Sequence, residues 1–181
     1  SKEIERKTLY TVLAKPIGRT EFLLGKYAGL LLTLAVNTII MTVVLYLTLI
    51  WNQLNWRLPI TDVEPWLLAA IGMIYLQLAL ITAVALFFSS FTTTTLAAIF
   101  TLSIYVTGHV SGDLMTMGKT LEGPAVPLLK GIYYMLPNLS NFDIKAQVVH
   151  KVAIEPSYFL LAFGYAVLYC ALLMGMASFI F

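Results

Sequence analysis

The sequence predicts an all-α fold, a polytopic membrane helical bundle of four transmembrane helices preceded by a short amphipathic helix. Of the 181 residues, 60% are hydrophobic and 11% are charged, whereas soluble domains average roughly 45–50% apolar and about 25% charged residues. Charged residues are missing from three long stretches, 27–50, 66–112 and 157–180. More than half of the eleven basic residues precede Tyr27. These features indicate a single transmembrane domain over 1–181.

The lengths of the charge-free stretches divide them into spans. Residues 27–50 are enough to cross about 30 Å of hydrocarbon at about 1.5 Å per residue. The stretch 66–112 is too long for one span, and the hydroxyl-rich run 89–95 can end one helix and begin another. We therefore predict spans at 27–50, 66–88, 92–110 and 157–180. Small residues in the last span offer close helix contacts, namely Gly164, Ala171, Gly175 and Ser178.

The segment 111–156 is predicted to be a loop outside the bilayer that carries short helices. It is interrupted by glycine and proline, yet it is too apolar for a disordered connection. One short helix is expected at the membrane interface over 128–135. Asn141 can cap a second one, with Ile144, Val148 and Val152 on one face.

Two amides lie inside the predicted spans. Asn37 and Gln77 would be costly facing lipid, so both are expected in the interior of the bundle. A structural hydrogen bond between helices is favoured over a transport role for Asn37. His109 is expected to form a hydrogen bond near the interface, because the only other histidine, His150, is not spaced as a second metal ligand.

The sequence offers no catalytic group, metal site or cofactor site. Gly118, Lys119 and Thr120 look like the end of a phosphate-binding loop, but Asp113 stands where that loop needs glycine and no strand precedes it. The small net charge of +2 gives no reason to expect a nucleic-acid partner. Cys170 has no second cysteine with which to form a disulfide. The absence of charge from the spans argues against an ion-coupled carrier.

The segment 1–26 is expected to lie outside the bilayer on the basic, cytoplasmic side. Ile4, Leu9 and Leu13 recur near helical spacing, which predicts an amphipathic helix. The helix should stop before Pro16, and Thr20 can cap the next one with Glu21 in its first turn. A juxtamembrane anchor, whose lysines hold the first span in register, is the alternative interpretation.

The order of residues in this segment resembles the cytoplasmic segment of type 2 ATP-binding cassette (ABC) transporter permeases. That family has acidic residues, a Gly-Thr-Leu run, a Pro-Ile-Ser-Arg-like corner, and Leu-Gly-Lys before a membrane helix. This chain departs from the pattern at Lys7, where glycine is usual, and at Gly18, where serine is common. The matching positions here are Glu3, Glu5, Thr8, Leu9, Leu13, Pro16, Ile17, Arg19, Glu21, Gly25 and Lys26. The run from Tyr133 to Asp143 also looks like the segment that precedes the last span in these permeases.

The resemblance implies a permease subunit of an ATP-driven exporter, with ATP hydrolysis on a separate ABC ATPase and no enzyme activity of its own. It implies a dimer with a second permease copy or a homologue, contact with membrane lipid, and a bacterial cytoplasmic (inner) membrane. Two further spans would precede the cytoplasmic segment. A non-transporting membrane scaffold with the same fold is the alternative. The residues that would couple to the ATPase are Glu3, Glu5, Arg6, Leu9, Leu13, Pro16 and Arg19.

Overall fold

The structure, a computed structural model, describes residues 18–56, 65–120, 137–144, 147–148 and 155–180. These residues form the helices α1 (Arg19–Trp56), α2 (Pro65–Ser89), α3 (Thr94–Thr120) and α4 (Pro156–Ile180), and a 3₁₀ helix (Leu139–Phe142) precedes α4. Every regular element in this part of the chain is helical, which confirms the all-α prediction there.

Three of the helices have the length and apolarity needed to cross a bilayer. Their candidate spans are Thr20–Asn55, Trp66–Ser89 and Pro156–Ile180, and they contain the predicted spans 27–50, 66–88 and 157–180. The fourth predicted span, 92–110, lies in α3, which is not among the three. Because α3 continues to Thr120, the loop predicted for 111–156 is wrong in its first ten residues. The first proline that could end this helix is Pro124.

The start of α1 differs from the prediction by two residues. Phe22 donates its backbone N–H to the Gly18 carbonyl at 3.1 Å, so Gly18, and not Thr20, is the residue that precedes the first helical turn. Glu21 lies in that turn, as predicted, and its carboxylate accepts the Gly18 N–H at 3.4 Å. This bond from Gly18 to the Glu21 side chain satisfies a backbone N–H that the helix itself leaves unpaired.

The turn between α2 and α3 lies where the hydroxyl-rich run predicted it. Thr92 donates its backbone N–H to the Phe88 carbonyl at 3.0 Å, and its hydroxyl donates to the same oxygen at 2.7 Å. Ser90 donates its hydroxyl to the Phe87 carbonyl at 2.6 Å. The hydroxyl groups therefore cover the carbonyls at the end of α2, and the two helices form an antiparallel hairpin.

Helix α2 lies at the centre of the bundle and packs against α1, α3, α4 and the 3₁₀ helix. Its buried residues join those of α4 and of the segment before α4 in the main core. A second cluster lies toward the Ser89 end of the bundle and consists of Leu23, Leu86, Met174 and Ala177. The small residues predicted for close contacts in α4 lie mostly on its exposed side, because the buried face is formed by Ala162, Ala166, Leu173, Met174 and Ala177.

Candidate functional site

The structure does not describe the side chains of the predicted ATPase-coupling residues. Glu3, Glu5, Arg6, Leu9, Leu13 and Pro16 precede residue 18 and are outside the described residues. Arg19 is the first residue of α1, and its side chain is also outside them. What the structure does describe is the helix that follows. Helix α1 is 38 residues long, about 57 Å at about 1.5 Å per residue, so it extends well beyond the thickness of the hydrocarbon.

A buried polar pair joins α2 to α3. Gln77 is 7% exposed, and its Nε2 lies 3.2 Å from Nε2 of His109. The other ring nitrogen of His109, Nδ1, lies 3.2 Å from the Tyr105 carbonyl. Because a carbonyl can only accept, Nδ1 carries the proton, and Nε2 accepts a hydrogen bond from the Gln77 amide. This hydrogen bond fixes how α2 and α3 are aligned along their lengths.

The segment Pro137 to Ile144, which we call the closing segment, packs into the half of the bundle where α2 begins, which we call the Trp66 end. Pro137, Leu139, Phe142 and Ile144 are all fully buried, and the 3₁₀ helix packs against both α2 and α3. The predicted interface helix over 128–135 is not tested by this burial. Asn141 lies inside the 3₁₀ helix and does not cap a helix, although Val148 N–H donates to the Ile144 carbonyl at 3.0 Å as in the predicted helical turn. Val152 and the helix predicted for 128–135 lie outside the described residues.

Close packing under this segment depends on Gly108 of α3. A Cβ atom at this position would lie 2.8 Å from the Pro137 carbonyl oxygen and 2.8 Å from Cγ of Leu139. No real Cβ contact is this short, and the backbone oxygen has little freedom to move away. The hydrogen at Gly108 therefore lets the closing segment sit directly against α3.

Two tyrosines of α4 hold the irregular backbone of the closing segment. The Asn138 N–H donates to the hydroxyl of Tyr165 at 3.0 Å. The Tyr158 hydroxyl donates to the Asn141 carbonyl at 2.6 Å. Within the segment, the Ser140 hydroxyl donates to Oδ1 of Asn138. These bonds satisfy backbone polar groups that the short 3₁₀ helix leaves unpaired.

Asn37 does not share the interior position of Gln77. Its side chain is exposed on α1, where it lines a groove beside Met41 and Ile74. It has no hydrogen-bond partner among the described residues. The interior prediction is therefore wrong for the described chain, because α1 meets α2 through a neighbouring face that includes Leu31, Leu34, Thr38 and Thr42.

Two tyrosine hydroxyls form hydrogen bonds between α1 and α2, and the sequence alone predicts neither bond. Tyr27 donates to the Ala79 carbonyl at 3.1 Å, and Tyr75 donates to the Leu31 carbonyl at 3.1 Å. Each bond crosses from one helix to the backbone of the other. A tyrosine inside an apolar span was the available signal, since a buried hydroxyl usually finds a partner.

The chemistry of the described side chains is that of packing and hydrogen bonding. Among the described residues, no group of three histidine, cysteine or carboxylate side chains could hold a metal ion. Cys170 is a free, partly buried thiol in α4. The central feature is thus a helical bundle whose Trp66 end contains the buried, hydrogen-bonded closing segment.

Long apolar helices around a central hairpin define an integral membrane protein of the polytopic α-helical class. The family profile described as "ABC-2 family transporter protein" matches residues 1–181, and the chain belongs to this family. No curated protein matches the chain, and no solved structure does. Family membership agrees with the resemblance of 1–26 to the cytoplasmic segment of type 2 ABC permeases.

Proposed function

We propose that this chain is the membrane-spanning permease subunit of an ATP-driven exporter and that a separate ABC ATPase hydrolyses the ATP. Membership of the ABC-2 transporter family over residues 1–181 carries the proposal. Permeases of this family generally have an ABC ATPase as partner. The sequence supports the division of labour, since its one phosphate-loop-like run, at Gly118 to Thr120, lacks the required glycine and preceding strand.

The proposed route of coupling begins in the segment 1–26. Leu9 and Leu13 are the apolar anchors that would enter a groove on the ATPase, while Glu3, Glu5 and Arg6 would pair at its rim, because buried anchors usually dominate interface energy. Pro16 and Arg19 would form the corner that leads directly into α1. The continuous helix α1 gives a movement at this corner a rigid path into the membrane.

In this proposal the segment Pro137 to Ile144 is the barrier at the outer end of the pathway. The concentration of basic residues before Tyr27 supports a cytoplasmic position for 1–26, and the Trp66 end would then be the outer end of the bundle. A substrate leaving there must displace buried apolar side chains and the bonds from Tyr158 and Tyr165. The barrier would open only when movement of the helices offsets those contacts.

The remaining parts of the proposal concern the surroundings of the chain. The partners would be a second permease copy or a homologue, an ABC ATPase, and membrane lipid. The membrane would be the bacterial cytoplasmic (inner) membrane, and the direction of transport would be export. Large apolar side chains cover the outward faces of α1 and α4, as contact with lipid or with another membrane subunit requires.

The test is to express the chain with the ATPase encoded beside it and to purify the two through a tag on the chain. We expect ATP hydrolysis by the complex and none by the chain alone above an empty-membrane control. Hydrolysis by the isolated chain would contradict the division of labour. A stable complex that hydrolyses ATP but moves no candidate substrate into vesicles would favour the scaffold function instead.

The orientation has its own test, with Cys170 first replaced. An impermeant thiol reagent applied to intact cells should label Lys145→Cys and leave Lys7→Cys unlabelled until the membrane is opened. The reverse labelling pattern would overturn the orientation, and the closing segment could then not be an outer barrier.

A further inference from the structure

Two apolar grooves lie along one face of α2, the first between α2 and α1 and the second mainly between α2 and α3, and together we call them the trough. One half, of about 350 Å³, is lined by Leu34, Asn37 and Met41 of α1 above Ile71, Ile74 and Leu78 of α2. The other half, of about 510 Å³, is lined by Thr101, Leu102 and Tyr105 of α3 above Ile81 and Ala85 of α2. The α2 residues of the two halves recur at helical spacing on a single face of α2, so the two halves follow each other along the bundle.

Three of the six hydroxyls that line the trough have a partner inside their own helix. Thr38 donates to the Leu34 carbonyl at 2.8 Å, and Thr42 donates to the Thr38 carbonyl at 2.7 Å. In the wall formed by α3, Thr101 donates to the Ala97 carbonyl at 2.7 Å. These groups thus offer a ligand little beyond an apolar surface.

The Asn37 amide has both a donor and an acceptor without a partner in the described part of the chain. It stands near the middle of α1 and of the predicted span 27–50, where water would be scarce. An unsatisfied amide in an apolar medium is costly, because its hydrogen bonds to water are lost and not replaced. Polar side chains inside membranes accordingly tend to mark the path of a ligand or an ion.

The lack of charge on the residues that line the trough limits which ligands it can bind. None of the residues lining its two described halves is charged, so a charge carried along it would be desolvated without compensation. A suitable ligand has a long apolar portion for the face of α2 and an uncharged hydrogen-bonding group, such as an ester, an amide or a hydroxyl, at the level of Asn37.

A second copy of the chain would not fill this trough by itself. In a two-fold dimer the same surface patch of each copy faces the other. Two concave faces brought together enclose a channel between them. An elongated ligand can fill this channel, whereas the two facing protein surfaces leave it open.

We infer that the trough binds an amphiphile with an apolar chain and a neutral hydrogen-bonding group, and that Asn37 recognises that group. This inference rests on the proposed function, since it names the substrate class of the exporter. It assigns the trough to the substrate, and it gives Asn37 a binding role in place of the structural role expected from the sequence.

The test uses a monoacylglycerol with a photoreactive diazirine in its acyl chain, added to the chain and its ATPase in lipid nanodiscs. Adducts are mapped by mass spectrometry. We expect saturable labelling at Met41 and Ile74 that unlabelled monoacylglycerol displaces. Labelling at Leu161, which is 73% exposed on α4, should rise in proportion to probe concentration, as contact with bulk lipid does.

Matched variants measure the contribution of the Asn37 amide to probe binding. Asn37→Leu removes the hydrogen bond at similar size and should weaken probe binding in the trough about two- to tenfold, the range of a net hydrogen bond. Thr33→Val lies one turn away, and its hydroxyl donates to the Gly29 carbonyl, so this variant should bind the probe like the unaltered chain. A diazirine alkane without a polar group should label the unaltered chain and the Asn37→Leu variant equally.

Three results would overturn the inference. Trough labelling that does not saturate would reduce it to contact with bulk lipid. Equal probe binding by Asn37→Leu would remove the amide from recognition. A symmetric disulfide formed by Asn37→Cys under mild oxidation, with Cys170 replaced, would assign the amide to a contact between copies.

Co-purification of the ATPase, measured in the same preparation, separates this inference from the proposed function. If the ATPase binds and hydrolyses ATP while labelling does not saturate, only the substrate assignment fails. If the ATPase does not bind while labelling saturates and depends on Asn37, the trough is a ligand site and the exporter function fails.

Discussion

Helices α1, α2 and α4 are built from similarly apolar sequence, but α1 is packed very differently from the other two. No residue of the most apolar window of α1 is buried, whereas 39% of the corresponding window of α2 is. Helix α1 is held mainly by Leu23 at the Ser89 end and by the two tyrosine hydroxyl bonds to α2. The rest of the bundle contains the main core, the buried polar pair and the closing segment.

The difference indicates how a movement could pass through the chain. Moving α1 breaks few contacts, because most of its surface faces away from the bundle. Moving the closing segment breaks several fully buried contacts at once. The chain therefore combines a lightly attached helix, next to the proposed ATPase-coupling segment, with a firmly packed closing segment.

Phe142→Ala should produce the largest loss of stability, because it opens a cavity in the fully buried closing segment. Replacing a buried phenylalanine by alanine costs about 3–5 kcal/mol. Thermal unfolding of the purified chain in nanodiscs measures the effect. The control is Phe179→Ala, which alters a side chain that is 95% exposed and should leave the midpoint nearly unchanged. Equal midpoints for the two variants would contradict the firm packing of the segment.

Gly108→Ala should come next, because its Cβ would lie 2.8 Å from a backbone oxygen of the closing segment. Overpacking of this kind costs about 1–3 kcal/mol. The matched control is Gly72→Ala, where the added methyl group meets open space and the change should stay within about 0.5 kcal/mol. The same unfolding assay compares them, and a harmless Gly108→Ala would mean that the segment does not press on α3.

Gln77→Leu should cost about 1–2 kcal/mol, because His109 loses its hydrogen-bond donor in a partly buried position. Replacing both residues by leucine should recover much of this loss, since no polar group is then left unpaired. Asn37→Leu, at an exposed amide, should not destabilise the chain in the same assay. Additive losses in the double variant would show that the two side chains do not interact.

Tyr75→Phe should have the smallest effect, because it removes one hydroxyl bond between α1 and α2. We expect a loss of about 0.5–1.5 kcal/mol and a greater mobility of a spin label placed on α1 at Leu32. Tyr46→Phe is the control, since the Tyr46 hydroxyl has no partner among the described residues. An unchanged spin-label spectrum in Tyr75→Phe would show that this bond does not restrain α1.

The parts of the fold that could be predicted depend on local composition. Charge-free length located the spans in α1, α2 and α4, and the hydroxyl-rich run located the turn after Ser89. Each of these signals depends only on residues that are close in sequence and on the need to cross the bilayer. The N-terminal cap of α1 was misplaced by two residues, because Gly18 and Thr20 are both acceptable before a helix.

The closing segment could not be predicted in the same way. Its burial depends on Gly108, Tyr158 and Tyr165, which are distant in sequence from Leu139, and no periodicity links them. The two amides show the same limit. The cost of an unpaired amide predicts that Asn37 and Gln77 need partners, but it does not say which partner. Gln77 has His109, whereas Asn37 has none in the described structure.

The measurement that tests the central claim most directly is co-purification of the ATPase with Leu9→Ala, Leu13→Ala double variants of the chain. Truncating interface anchors costs roughly 1–4 kcal/mol each, so the double variant should insert normally and lose the ATPase. Lys2→Ala, outside the anchor pattern, should retain it. A double variant that keeps its ATPase but inserts poorly would contradict the account and identify 1–26 as a membrane anchor.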